Sequence, residues 1–124
     1  MGRKRILVVD DERAFTSFVK AALEKTGSYE VCAETKAKQA FETAKTFKPD
    51  LVFMDITMPP TDGGEVAAQF KTDADLKEVP IIFLTGAVTR EEVREGGGTV
   101  GGQPFLAKPV KVEELVAAIE RHLG

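Results

Sequence analysis

Ile6-Leu7-Val8-Val9-Asp10-Asp11-Glu12 is the stretch that decides the fold: an uninterrupted apolar run that ends in a block of carboxylates. A strand with no polar alternation is what a parallel sheet covered on both faces requires. The same design returns along the chain. Leu51-Val52-Phe53-Met54 runs into Asp55, Ile81-Ile82-Phe83-Leu84 into Thr85, and the shorter Phe105-Leu106-Ala107 into Lys108-Pro109. Tyr29 to Ala33 supplies one more strand-like stretch.

Helical patterns separate these runs. Phe15, Phe18, Val19, Ala22 and Leu23 follow the i, i+3, i+4, i+7, i+8 rhythm of a buried helix face, and Val112, Leu115, Val116, Ile119 and Leu123 repeat it at the end. Ala37, Ala40, Phe41, Ala44 and Phe47 predict a further helix, as do Val66, Ala67 and Phe70, the last opened by Asp62 as N-cap with Glu65 three positions on. Thr89 to Gly102 begins helically, but Gly96, Gly97, Gly98, Gly101 and Gly102 weaken it, so helix should end near Glu95 and the glycine run should be poorly protected. Strand and helix alternate five times. The expectation is an α/β doubly wound domain over residues 1–124, with a five-stranded parallel sheet, helices on both faces and right-handed crossovers.

Composition narrows the function classes. With 124 residues, 43% apolar and 30% charged, the chain suits one folded domain and excludes a disordered or collagen-like polymer. No apolar run reaches the length of a membrane span or of a secretory leader, which points to a cytoplasmic protein. A net charge of −3 lacks the positive field that nucleic-acid binding needs. The single Cys32 cannot form an internal disulfide and reads as a small buried hydrophobe. His122 sits in the last turn of the last helix, where it suits the helix dipole, and the chain is not a histidine kinase.

In doubly wound sheets ligands bind beyond the carboxyl ends of the strands. Those ends carry Asp10, Asp11, Asp55, Thr85 and Lys108. Two carboxylates about 4 Å apart repel by roughly 4 kcal/mol at an effective dielectric near 20, so such a group is costly unless a cation is shared. Hard oxygen ligands with room for water suit Mg²⁺, in sites that also hold phosphate oxygens. Asp55, in the middle of the edge, is the candidate nucleophile, because carboxylates form aspartyl phosphates. Asp11 would ligate Mg²⁺ directly, Asp10 directly or through water, and the Thr57 backbone carbonyl would add an oxygen. Lys108 would act as a point charge on the phosphoryl oxygens, Thr85 would hydrogen-bond one of them, and Gly86 leaves space beside them.

The whole pattern resembles the receiver domain of two-component response regulators, including stand-alone chemotaxis-type members. The matching pieces are Ile6 to Glu12, Asp55-Ile56-Thr57-Met58-Pro59 running on to Asp62-Gly63, Leu84-Thr85-Gly86, and Phe105-Leu106-Ala107-Lys108-Pro109. Intervals of 44, 30 and 23 residues separate Asp11, Asp55, Thr85 and Lys108, as in that family. The resemblance implies a flavodoxin-like fold, Asp55 as phosphoacceptor, Asp10 and Asp11 as the Mg²⁺ pair, Thr85 as the switch hydroxyl, Lys108 as the phosphoryl-binding lysine and Phe105 as the aromatic that turns inward on activation. It also implies a sensor histidine kinase or histidine phosphotransfer protein as donor, and a downstream effector that the sequence leaves unknown. Phe105 also has a secondary reading as an ordinary strand residue, and Phe18, at the edge of its helix stripe, suits core packing first and docking of the donor second.

Rival readings fare less well. Gly96 to Gly101 matches the dinucleotide fingerprint in letters, but it precedes a strand rather than following one. A flavin mononucleotide carrier of the same architecture meets an acidic first loop where its phosphate would sit. The alternative retained is a Mg²⁺-dependent phosphohydrolase working through an aspartyl phosphate. Its usual acid, two residues beyond the nucleophile on the first strand, is replaced here by adjacent Asp10 and Asp11. The glycine run puts in question which face signals, and Pro60 stiffens the loop after Asp55.

Overall fold

The computed structural model describes residues 2–58, 61–86, 99–100 and 103–123. Strands β1 (Lys4–Val9), β2 (Tyr29–Glu34), β3 (Leu51–Asp55), β6 (Ile81–Thr85) and β8 (Gln103–Ala107) form the parallel sheet in the order β2-β1-β3-β6-β8. Helices α1 (Arg13–Lys25), α2 (Ala40–Phe47), α3 (Gly63–Lys71) and α4 (Val112–Leu123) accompany it, with a 3-10 turn at Ala37–Gln39 leading into α2.

Successive side chains of a strand point to opposite faces, and this divides the core in two. Ile6, Val8, Leu51, Phe53, Ile82 and Leu84 meet Val19 and Leu23 of α1 and Leu115 and Ile119 of α4. Leu7, Val9, Val52, Met54, Ile81 and Phe83 meet Ala40 and Ala44 of α2 and Val66 and Phe70 of α3. All of β3 and β6 is buried, as continuous apolar runs require.

Three short pieces depart from the expected alternation. Thr57–Met58 (β4) and Thr61–Asp62 (β5) pair antiparallel directly after β3, and Gly63 N–H closes onto the Ile56 carbonyl at 2.9 Å. Thr99–Val100 (β7) adds an antiparallel edge to β8, so part of the glycine-rich stretch pairs as a strand. Two-residue strands carry no periodicity to read. The helix expected from Thr89 to Glu95, and Gly96 to Gly98, lie outside the described residues.

Side-chain details also shift. Phe18 is 44% exposed and not core; the buried place on α1 is taken by Thr16, whose hydroxyl bonds the Arg13 carbonyl. Cys32 is half-buried, and burial raises its thiol pKa, with Glu34 adding to the effect. On edge strand β2, Val31 N–H donates to Glu24 and Val31 C=O accepts from Lys20, so two α1 side chains occupy backbone groups that face no neighbouring strand.

Candidate functional site at the carboxyl edge of the sheet

Parallel pairing brings the strand ends level. Val9 lies beside Met54, Asp55 beside Leu84, and Thr85 beside Ala107, so the residues after β1, β3, β6 and β8 share one edge. There Asp10, Asp11 and Asp55 each offer a carboxylate oxygen, and these atoms all lie within 4.8 Å of one another. Asp10 is fully buried and Asp55 is 5% exposed, while Asp11 is open to solvent. Asp10 Oδ1 accepts the Glu12 N–H at 2.9 Å, which fixes the turn out of β1.

Lys108 reaches into this cluster. Its Nζ stands 2.6 Å from Asp10 Oδ2, 3.2 Å from Glu12 Oε1 and 3.6 Å from Asp55 Oδ2. The contact with Asp10 is a close ion pair, and the buried Oδ2, with this one described partner, keeps a lone pair for a further donor or cation. Burial pulls the Lys108 pKa down, but Asp10, then Asp55 and Glu12, outweigh it and the net shift is upward. The lysine is anchored by its own N–H, which donates to the Thr85 carbonyl at 2.9 Å, and its peptide bond to Pro109 is cis.

The donor set fits a divalent cation. Three carboxylates crowd together with one half-buried ammonium at their side, and Asp10 Oδ2 is a buried oxygen with that ammonium as its one described partner. A hard cation with oxygen preference answers both features, and Mg²⁺ is the one that also keeps phosphate oxygens in its shell.

Thr85 is 3% exposed at the end of β6. Phe105 lies further back on β8, half-buried, with its ring 5.3 Å from that of Phe83. Phe83 pairs with Phe105 and Thr85 with Ala107, so all four project from the same face of the sheet. The Thr57 backbone lies in β4, next to the acidic edge.

Three contributors escaped the sequence reading. Glu12 and Phe15 both meet Lys108, the ring centroid of Phe15 at 4.9 Å from Nζ. Gly63 packs so closely under β3 that an added Cβ would stand 2.3 Å from the Asp55 carbonyl oxygen. A signal for Gly63 exists in the sequence, since two consecutive glycines, Gly63 and Gly64, open a helix against their propensity. For Phe15 the helical stripe spoke only of core.

Comparison with known proteins agrees with this geometry. The chain is 37% identical over 117 residues to the phosphate regulon transcriptional regulatory protein PhoB of Pseudomonas aeruginosa, which covers 94% of this chain but only 50% of PhoB. It is 28% identical to the polar-differentiation response regulator DivK of Brucella anthropi, over 98% of this chain and 97% of DivK. Its fold superposes on chemotaxis protein CheY4 of Vibrio cholerae with a TM-score of 0.83 and 29% identity, over 98% of this chain and 100% of that one. Residues 6–120, which run from the first strand through most of α4 and hold every group of the acidic edge, match the response regulator receiver domain model. The chain therefore belongs to the response regulator receiver domains, which are phosphoacceptor signalling switches supplied by histidine kinases rather than enzymes acting on other molecules.

Proposed function

We propose that residues 1–124 form one receiver domain in which Asp55 accepts the phosphoryl group. The observation that carries this reading is the crowding of Asp10, Asp11 and Asp55 within 4.8 Å of one another, with the Lys108 ammonium against Asp10 and Asp55. In the transfer, an Asp55 carboxylate oxygen bonds to phosphorus while the bond from phosphorus to the donor breaks, and the donor leaves with the electron pair. Lys108 moves its charge onto the phosphoryl oxygens, which costs little because it already stands 3.6 Å from Asp55. Asp10, Asp11, Asp55 and the Thr57 carbonyl would hold Mg²⁺, which neutralises charge on the transferring group when bound.

Thr85 and Phe105 form the output of the reading. The Thr85 hydroxyl turns to the phosphoryl group, and the shared face of β6 and β8 lets the Phe105 ring follow into the space released. A sensor histidine kinase or histidine phosphotransfer protein is the donor, a separate effector reads the change of shape, and the domain itself engages neither nucleic acid nor membrane. It acts in the cytoplasm in this reading; no described helix is long and apolar enough to cross a membrane.

Incubation with acetyl phosphate and Mg²⁺, followed by intact-mass analysis, tests the assignment. Wild type should gain one phosphoryl group only when Mg²⁺ is present, and Asp55→Asn should gain none. An unchanged wild-type mass, or equal labelling of the mutant, would reject it.

A further inference from the structure

We propose that Glu12 is a positioning residue that holds the Lys108 ammonium at the mouth of the acidic edge and competes with the incoming phosphoryl group for it. The proposal rests on the reading of Asp55 as phosphoacceptor.

Glu12 occupies the N-cap of α1, where its own carbonyl accepts the Phe15 and Thr16 N–H groups at 3.1 Å each. Ser, Thr, Asp or Asn would serve there by bonding the first helical N–H groups through the side chain. Glu12 has extended backbone angles and makes no side-chain cap at all. Its carboxylate leaves the helix and accepts a hydrogen bond from Lys108 Nζ at 3.2 Å, across 96 residues of sequence. Of the three carboxylates around Nζ, Asp10 at 2.6 Å and Asp55 at 3.6 Å are buried, and Glu12 at 3.2 Å is the one open to solvent.

The surroundings make this contact exchangeable. The Glu12 side chain is 67% exposed, so water can replace the lysine at small cost. Phe15 lies under the ammonium at 4.9 Å and stays with it as a π-face, which restricts where Nζ can go without taking a hydrogen bond from it. Glu12, Phe15, Phe18, Lys108 and Val110 line one open cleft, which places the Glu12 charge on the solvent side of the lysine. A dianionic donor that approaches Lys108 therefore meets a like charge beside it and a lysine already engaged. Release of Lys108 from Glu12 accompanies bond formation at Asp55, and the glutamate slows that step.

The test compares wild type with Glu12→Gln, which keeps shape and removes charge. With acetyl phosphate and Mg²⁺ at low ionic strength, the variant should gain its phosphoryl group about two- to fivefold faster, the range an exposed ion pair supports. Near 1 M salt, where the screening length falls to about 3 Å, the two rates should converge. In metal-free protein the Lys108 ε-methylene NMR signals should move in Glu12→Gln and stay in place in Glu42→Gln, an exposed glutamate elsewhere on the domain. A variant that labels no faster than wild type at low salt, or unmoved Lys108 signals, would overturn the proposal. Absence of labelling in wild type, or labelling of Asp55→Asn, would instead bring down the Asp55 reading, and this proposal with it.

Discussion

Lys45 and Lys108 are both ringed by carboxylates, yet the two clusters have opposite economies. Lys45 ties α2 to the turn after α3 through Asp73 at 3.0 Å and Asp75 at 2.8 Å, with side-chain exposures of 38%, 15% and 70%. The second oxygen of Asp73 is occupied as well, accepting the Asp75 and Leu76 N–H groups at 3.0 and 3.1 Å. Water solvates what Lys45 leaves over, since the Asp75 side chain is largely exposed. Around Lys108, with its side chain 18% exposed, Asp10 is wholly buried with the ammonium as the one described partner of its Oδ2, and Asp11 and Asp55 crowd the same edge. Both clusters leave negative charge over, but at Lys45 the excess rests on a carboxylate that water reaches, whereas at Lys108 it is pressed against a wholly buried one and is prepared for something that arrives.

Removing each lysine should expose this difference most strongly. Lys108→Met strands a buried carboxylate and should cost at least about 2 kcal/mol without Mg²⁺, short of the ~3–5 kcal/mol of a fully buried pair because the site is partly open. Lys45→Met should leave the chemical midpoint almost unchanged. The alkaline limb sharpens the contrast. The folded Lys108 pKa is raised above 10.5, so its contribution is full below 10.5 and disappears as pH climbs through the raised value. Urea melts across that window should fall steeply for wild type and less steeply for Lys108→Met, and a flat wild-type profile would refute the coupling.

The floor of the pocket provides the next test. Gly63→Ala drives a methyl group into the Asp55 carbonyl and should lose about 1–3 kcal/mol, while Gly86→Ala, which meets no heavy atom within 4 Å, should stay within about 0.5 kcal/mol of wild type. Equal thermal midpoints for the two variants would show that α3 can back away from β3. A smaller effect belongs to Thr85→Ala. It should still be phosphorylated, but with reduced phosphorylation-dependent NMR shifts along β8, and shifts identical to wild type would remove Thr85 from the switch.

The sequence discloses the parts of this molecule that repeat and hides those that depend on tertiary reach. Apolar runs declared four of the five parallel strands, and the residues directly after them declared Asp10, Asp11, Asp55, Thr85 and Lys108, because a parallel sheet must bring its carboxyl ends to one edge; β2, an edge strand with alternating exposure, showed only as a strand-like stretch. The β4–β5 hairpin and β7 are too short to leave a pattern. Phe18 falls on an apolar stripe, yet only the positions of neighbouring elements decide that Thr16 turns inward and Phe18 outward. Glu12 looked like one more acid in a row. Its bond to a lysine 96 positions away comes from the chain path and from no local signal.

The central claim is that the acidic edge stores negative charge, at a cost to stability, in readiness for a divalent cation. Thermal unfolding of wild type and Asp11→Asn, each in EDTA and in Mg²⁺, measures this directly. The account predicts that the mutant is more stable than wild type in EDTA by on the order of 1 kcal/mol, a repulsion already reduced by solvent and salt, and that Mg²⁺ stabilises wild type far more than the mutant. A mutant less stable than wild type in EDTA, or one stabilised equally by Mg²⁺, would contradict it.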